Sequence, residues 1–222
     1  MEFNNDQWRK EVEMKSSKVI MSIGLFLALA AGCAKTGEKE ANNQALESFD
    51  ELDGTWVQAC RAVGAGGSAV YTQATVEING LESIYMLDSF TSAGCQNDRS
   101  TSHKLVFSYG LGAAAVGIVG AQNMDIVVSR VIYIPRSDAV ASAYNATAYC
   151  GVTNWQKDVE QDVAGRTCDA SVVATPGTPF YGVISRSPSA FYFGRTPNGG
   201  TGFAPKATDR PTDLDTEPFL LR

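Results

Sequence analysis

Histidine is almost absent from this chain, which has one, His103, among 222 residues. A single imidazole excludes multi-histidine metal sites and leaves at most one base for a serine or cysteine triad. The sequence also lacks C-x-x-C spacing, a G-x-S-x-G elbow, an H-E-x-x-H helix, a phosphate loop and a dinucleotide fingerprint. Because His103 stands in the polar stretch 100–104, we expect it on the surface. These absences predict a protein that is not an enzyme and has no metal or cofactor.

Basic runs are missing as well, and the formal net charge is −6. A mildly acidic chain without a basic block gives no electrostatic footprint for nucleic acid, so we expect no such partner. The acidic residues do not show the spacing of a calcium loop. Asp158, Glu160 and Asp162 are predicted on the solvent side of a helix, and Asp209 to Glu217 are scattered in a proline-containing tail.

A long uncharged apolar run lies near the N-terminus, from Val19 to Gly32, and follows Lys15 and Lys18. A membrane-spanning helix needs about 20 apolar residues, so this run is short for a permanent anchor. A short basic region, a short apolar region and small residues before a polar stretch are typical of a cleaved secretory signal. We therefore predict that residues 1–32 are a signal peptide, with Met14 as the natural start.

The end of that run, Ala30-Ala31-Gly32-Cys33, resembles the lipobox of bacterial lipoprotein precursors. The resemblance implies a diacylglyceryl group on the Cys33 thiol, cleavage before Cys33 and a stable membrane anchor. It also implies a place in the bacterial cell envelope, where Ala34 after the cysteine favours the outer membrane over the inner. The folded domain would then lie in the periplasm or at the cell surface. The polar residues 33–53 are predicted to be a lipidated tether.

Residues 54–222 are predicted to form one domain, and their pattern is that of short strands between turns. From Val70 to Ile78 apolar and polar residues alternate, and Asn79-Gly80 is a strong hairpin signal. The predicted strands are Thr55–Val63, Ala69–Ile78, Leu81–Thr91, Lys104–Leu111, Ala113–Val119, Met124–Ile134, Pro179–Arg186 and Ala190–Gly194.

Two helices are predicted between the sixth and seventh of these strands. Ser137 is placed to cap the first, and Trp155, Val159 and Val163 form an apolar stripe along the second, which Gly165 would end. The prediction is a mainly β fold: an antiparallel up-and-down barrel of about eight strands, with two helices inserted before the last two strands. Closing the sheet into a barrel leaves no exposed edge.

Four cysteines remain after Cys33, and four cysteines allow three pairings. We favour Cys60 with Cys95 and Cys150 with Cys168, because the second pair would bracket one helix and its flanking loops. Each bond would stabilise the fold by roughly 3 to 4 kcal/mol.

Two family resemblances follow. Gly54-Thr55-Trp56 at the head of the first strand resembles the Gly-x-Trp opening of lipocalins, which implies a calycin-type barrel. A wider set of motifs resembles a group of uncharacterised bacterial lipoproteins and covers nearly the whole mature chain. These motifs are GTW with Cys60 and Cys95, Tyr149-Cys150-Gly151 with Asn154-Trp155, FYFG at 191–194 and RPTDLD at 210–215.

The candidate ligand contacts are Arg130, Trp56, Phe107 and Tyr109. Arg130 is in phase with Ile126, Val128, Ile132 and Ile134, so an inward guanidinium would hold the anionic group of an amphiphile. The alternative places Arg130 on the outer face with its head in water. Two function classes stay open: a barrel that binds a small apolar or amphipathic ligand, and an envelope interaction or structural module whose barrel is filled by its own side chains.

Overall fold

The computed structural model describes residues 52–63, 70–195 and 202–222. The predicted signal peptide, Cys33 and nearly all of the predicted tether lie outside these residues. The strands are β1 (Gly54–Gln58), β2 (Arg61–Val63), β3 (Val70–Asn79), β4 (Glu82–Phe90), β5 (Arg99–Ala114), β6 (Ala121–Pro135), β7 (Gln161–Asp162), β8 (Thr167–Cys168), β9 (Ser171–Val172), β10 (Pro179–Ser187), β11 (Ala190–Phe193), β12 (Phe203–Ala204) and β13 (Phe219–Leu221). The helix α1 is Asp138–Ala146, and short 3-10 helices span Tyr149–Gly151 and Ala207–Asp209.

Eight of the strands close into an antiparallel barrel, which confirms the predicted mainly β class. Their order around the barrel is β1, β3, β4, β5, β6, β10, β11 and β13. β13 then pairs with β1 and closes the sheet, with Trp56 opposite Leu221. The five remaining short strands lie outside this ring: β2 pairs with the start of β3, β12 with β10, and β7 with β6, while β8 and β9 pair with each other.

The predicted strand Ala113–Val119 is wrong, and the eighth barrel strand is β13 instead. β5 continues to Ala114 and the chain then turns back, with the amide of Ala115 donating to the carbonyl of Ala121 at 2.8 Å. The two glycines in this turn, Gly117 and Gly120, both have positive φ, which suits a reversal of the chain. A run of small apolar residues therefore forms a hairpin tip and not a strand of the barrel.

The predicted second helix is also wrong. Residues 152–165 form no helix, and their regular part is the two-residue strand β7. Asp158 has a positive φ of 60°, which an α-helix does not admit. Trp155 and Val163 are buried as the stripe required, but Val159 is exposed. The first helix is confirmed: Ser137 Oγ accepts from the Val140 amide at 3.2 Å, and α1 follows directly.

The barrel has two different ends. At one, called here the hairpin end, lie the start of β1 and the β3–β4, β5–β6 and β10–β11 turns. At the other, called the helix end, β6 continues past β10 to pair with β7, and α1 follows. The half next to the hairpin end is filled by aromatic and aliphatic side chains that include Trp56, Phe107, Phe191, Phe219 and Met124.

A second apolar cluster covers the helix end. It brings together α1 and the segment that follows, through Ala141, Cys150, Trp155 and Val163, and it packs against Tyr133 of β6. Asn145 fixes Trp155 from both sides, since its Oδ1 accepts from the Trp155 amide at 2.7 Å and its Nδ2 donates to the Trp155 carbonyl at 2.9 Å. α1 and this segment therefore form a cap on the barrel.

Candidate functional site

Two rows of inward-facing side chains cross β3 to β6 near the helix end. In one row Ala74 lies opposite Leu87, Leu87 opposite His103, and His103 opposite Tyr133. In the next row the register partners are Val76, Tyr85, Leu105 and Val131. Most of these side chains keep part of their surface accessible: Tyr85, Leu87, His103, Leu105, Val131 and Tyr133 are half-buried, although they point into the barrel. We call this set the helix-end site.

The rows nearer the hairpin end differ, because most of their side chains are fully buried, although Leu111, opposite Met124, is half-buried. Phe107 and its register partner Val128 are buried, and so are Ile126 and Met124 further along β6. The barrel is therefore packed in one half, while the interior side chains of the other half retain accessible surface.

His103 stacks on Tyr133 inside the helix-end site, with ring centroids 4.1 Å apart and planes inclined by 15°. Burial lowers the pKa of His103 from its usual 6.5 to about 4. The imidazole is therefore neutral at neutral pH and presents an apolar, polarisable face. The expectation that His103 lies on the surface is wrong, because β5 already begins at Arg99 and its register turns His103 inward.

An ion pair borders the same site. Arg61 lies opposite Thr72 of β3, and its guanidinium is 3.5 Å from the Asp215 carboxylate. Burial raises the pKa of Tyr85 to about 12, while the nearby Arg61 lowers it and Asp215 raises it. The Tyr85 hydroxyl therefore stays protonated and can donate a hydrogen bond at any physiological pH.

The aromatic cap continues this surface outward. The ring of Tyr149 stacks on that of Tyr144, with centroids 4.4 Å apart, and lies 6.2 Å from Tyr133. Burial raises the pKa of Tyr144 to about 12 and that of Tyr149 further still, and the carboxylate of Asp169 adds to both shifts. His103, Tyr133 and Tyr149 thus form a continuous line of uncharged rings from the barrel interior to the cap.

Arg130 lies on the outer face and not in the barrel. The register shifts within the β5–β6 pair: Val106 lies opposite Arg130, but Phe107 lies opposite Val128, so Ser129 is an extra residue. This β-bulge reverses which residues face inward along β6. Ile126 and Val128 point into the barrel, whereas Arg130 points outward with a side chain 53% exposed. The inward anchor predicted for Arg130 is therefore wrong, and the alternative placement on the outer face is the one observed.

A row of three ion pairs runs along this outer face. They are Arg130 with Asp162 at 3.1 Å, Lys104 with Glu160 at 3.1 Å and Arg136 with Asp158 at 3.2 Å. Asp158 lies in a turn, and Glu160 leads into β7, which contains Asp162 and pairs with the edge of β6. Each pair is accessible to water and contributes at most about 1 kcal/mol.

Trp56, Phe107 and Tyr109, the other predicted ligand contacts, all belong to the packed core. Trp56 donates its indole N–H to the Leu52 carbonyl at 2.7 Å and meets Phe191 edge to face. All three are buried almost completely, which leaves them no free surface for a ligand. The structure thus does not bring them together with Arg130, and it places the accessible interior surface one strand row further towards the helix end.

The two disulfides join Cys60 to Cys95 and Cys150 to Cys168, the pairing favoured from the sequence. The second bond lies within the cap, beside Trp155. In the described ranges no three side chains of His, Cys, Asp or Glu come together in a way that could hold a metal ion. None of the helices in the same ranges combines the length and apolarity that a bilayer crossing would require.

Comparison with models of known protein families gives no match to this chain, and a search of curated proteins gives none either. The assignment of a function therefore rests on the geometry of the barrel and on the sequence patterns.

The sequence held a signal for the helix-end site that the prediction did not use. His103 is in phase with Leu105, Phe107, Tyr109 and Leu111, and the register confirms that one face of β5 carries them. By contrast, nothing in the local pattern around Arg61 indicates that it would lie near Tyr85 and Asp215. That contact depends on the fold of residues far apart in the chain.

Proposed function

We propose that this protein is a lipid-anchored lipoprotein of the bacterial cell envelope whose barrel binds a small apolar or amphipathic ligand at the helix-end site. The observation that carries the proposal is a set of side chains that point into the barrel next to its packed core and are only half-buried. They are Tyr85, Leu87, His103, Leu105 and Tyr133. Ligand sites are concave and mainly apolar, with a few polar groups that fix orientation. Here the polar groups are the Tyr85 hydroxyl and the Arg61–Asp215 pair.

The lipid anchor is supported by the cysteine inventory. Of five cysteines, four form the two disulfides, which leaves Cys33 as the one available for acylation. Disulfides persist in oxidising compartments such as the periplasm. The resemblance of 30–33 to a lipobox, with Ala34 after the cysteine, favours anchoring in the outer membrane. Replacing Cys33 with Ser should abolish metabolic labelling by palmitate, and persistent labelling would refute the anchor.

The likeness to lipocalins supports ligand binding in the barrel. It rests on the closed eight-strand antiparallel barrel and on Trp56, the tryptophan of the Gly-x-Trp opening, packed in the first barrel strand. Lipocalin-like barrels of eight strands have an interior wide enough for one small ligand. The site proposed here would hold a ligand in the helix-end half alone, because aromatic side chains fill the other half.

The second candidate function is an envelope interaction or structural module, and the packed half of the barrel favours it. Phe203 enters the core from outside the ring of eight strands and meets Phe193 at 5.1 Å and Phe107 at 6.2 Å. A barrel filled in this way along its whole length would act through its outer surface.

Ligand binding can be tested with a fluorescent long-chain fatty acid and with native mass spectrometry of the purified protein. Leu87→Trp should fill the helix-end site and deprive the probe of apolar contacts there. Because such contacts contribute about 1–3 kcal/mol, we expect binding of the probe to weaken at least about tenfold. Arg130→Ala is the matched control, because Arg130 lies on the outer face. Equal binding by Leu87→Trp and the parent protein would exclude this site. A protein that carries no lipid and binds no probe would favour the second function.

A further inference from the structure

The described chain begins at the hairpin end of the barrel and is fixed there. Asp53 accepts a hydrogen bond through its carboxylate from the Gly80 amide at 2.9 Å, which ties the start of the domain to the β3–β4 turn. Leu52 and Asp53, the first described residues, therefore lie at this end of the barrel. Eighteen residues, 34–51, separate Leu52 from Cys33 in the sequence.

The same end carries the two most exposed large apolar side chains of the described residues. Val116 and Val119, at the tip of the β5–β6 hairpin, are 94% and 86% exposed, and Leu81 in the β3–β4 turn is 61% exposed. Leu220 and Leu221 lie at the end of β13, beside the start of β1, and are also exposed. No charged residue occurs in the sequence between Lys104 and Asp125. The result is an uncharged, apolar protrusion at the end where the described chain begins.

We propose that the hairpin end is a membrane-contact surface, in which the tip of the β5–β6 hairpin enters the headgroup region of the bilayer that holds the acyl chains of Cys33. This inference rests on the proposed acylation of Cys33. The occupant is a lipid surface because two features meet at one end: the described chain begins there, on the side of Cys33, and the exposed tip of the β5–β6 hairpin carries Val116 and Val119 in a stretch without charge. The transfer of apolar side chains from water to such a boundary is favourable, even when only a few side chains are buried.

The contact determines which way the barrel faces. The tether of 18 residues could reach about 60 Å when extended, so it does not hold the domain in one orientation. Contact through the hairpin end would do so. The helix-end site, with His103 and Tyr133, would then point away from the membrane, and a ligand would enter from the aqueous side.

The experiment places a tryptophan reporter at each end of the full chain, processed in bacteria and reconstituted in vesicles of phosphatidylethanolamine and phosphatidylglycerol. The reporter is Val116→Trp, and the matched control is Val172→Trp, an exposed valine of β9 at the helix end. Trp56 and Trp155 are buried and give a background that the parent protein measures. We expect vesicles with brominated acyl chains to quench Val116→Trp, with a blue shift of its emission, and to leave Val172→Trp unchanged.

Palmitate labelling of the same preparations separates the two ways of failing. If the protein is labelled at Cys33 and bound to vesicles but Val116→Trp is quenched no more than Val172→Trp, the contact surface is refuted while the anchor stands. If labelling is absent, the proposed anchor fails and the contact surface fails with it.

Discussion

The imidazole of His103 lies flat against the phenol of Tyr133, 4.1 Å between centroids, in the accessible half of the barrel. Burial holds its pKa near 4, whereas the unfolded chain has the usual value of 6.5. Between these values the unfolded state binds a proton that the folded state does not. The free energy of unfolding should therefore fall as the pH falls from 6.5 to 4, by about 3 kcal/mol in total.

The comparison that isolates this effect is with His103→Gln, which has no titrating ring. Urea unfolding of both proteins at pH 7 and pH 4 gives the loss of stability in each. The parent protein should lose about 3 kcal/mol more than His103→Gln. Equal losses would mean that His103 is accessible enough to keep its ordinary pKa.

Gly194 should not tolerate even a methyl group. A Cβ at this position would lie 2.5 Å from Pro211 Cβ and 2.5 Å from Val183 Cγ2. We expect Gly194→Ala to destabilise the barrel by about 1 to 3 kcal/mol, the usual effect of overpacking. Gly110→Ala is the control, since nothing lies within 4 Å of its Cβ. A thermal unfolding midpoint for Gly194→Ala as high as that of Gly110→Ala would contradict this packing.

Phe191 is the centre of the aromatic core. Its ring stacks on Phe219 at 4.9 Å and meets Trp56 at 5.1 Å and Phe193 at 4.9 Å. Phe191→Ala should cost about 3 to 5 kcal/mol in urea unfolding, because the cavity cannot collapse among rings already in contact. It should leave ligand binding at the helix-end site largely intact under conditions where the protein remains folded. Val172→Ala, at an exposed position, should change stability little.

Removing the Cys150–Cys168 disulfide should loosen the cap before it affects the barrel. The bond closes a loop with a sequence separation of 18, and its loss should cost roughly 3 kcal/mol. Hydrogen exchange of the Cys150→Ser, Cys168→Ser protein should show faster exchange in α1 and around Trp155 than in β3 and β4. Uniformly faster exchange would indicate that cap and barrel unfold together. The corresponding change at Cys60 and Cys95 serves as the comparison, because that bond lies outside the cap cluster.

Local patterns were sufficient to predict most of the barrel. The alternation of Val70–Ile78 and the Asn79-Gly80 turn specify a hairpin, and the structure pairs β3 with β4 around that turn. The pairing of the cysteines also agreed, although the second bond lies in the cap, where the helix that it was expected to bracket does not form.

The errors arose where two periods fit the same residues. Trp155, Val159 and Val163 fit a helical stripe, while Asp158, Glu160 and Asp162 fit an extended strand. The ion pairs with Lys104 and Arg130 favour the second, but they come from strands distant in sequence. The short β13 was also missed, because three apolar residues alone do not indicate a strand. They form one because β13 pairs with both β1 and β11, which lie far away in the sequence.

The bulged residue Ser129 changes which alternate residues of β6 face the barrel interior. On the hairpin-end side of Ser129, Ile126 and Val128 face the interior. On its helix-end side, Val131 and Tyr133 face the interior and Arg130 faces outward. If β5 and β6 paired in a regular ladder without this bulge, every side chain on one side of Ser129 would lie on the opposite face. Arg130 would then point into the barrel, and isoleucines would replace the tyrosine that stacks on His103. The chemistry presented to a ligand is thus set by the register in which β6 pairs with β5 as much as by the composition of β6.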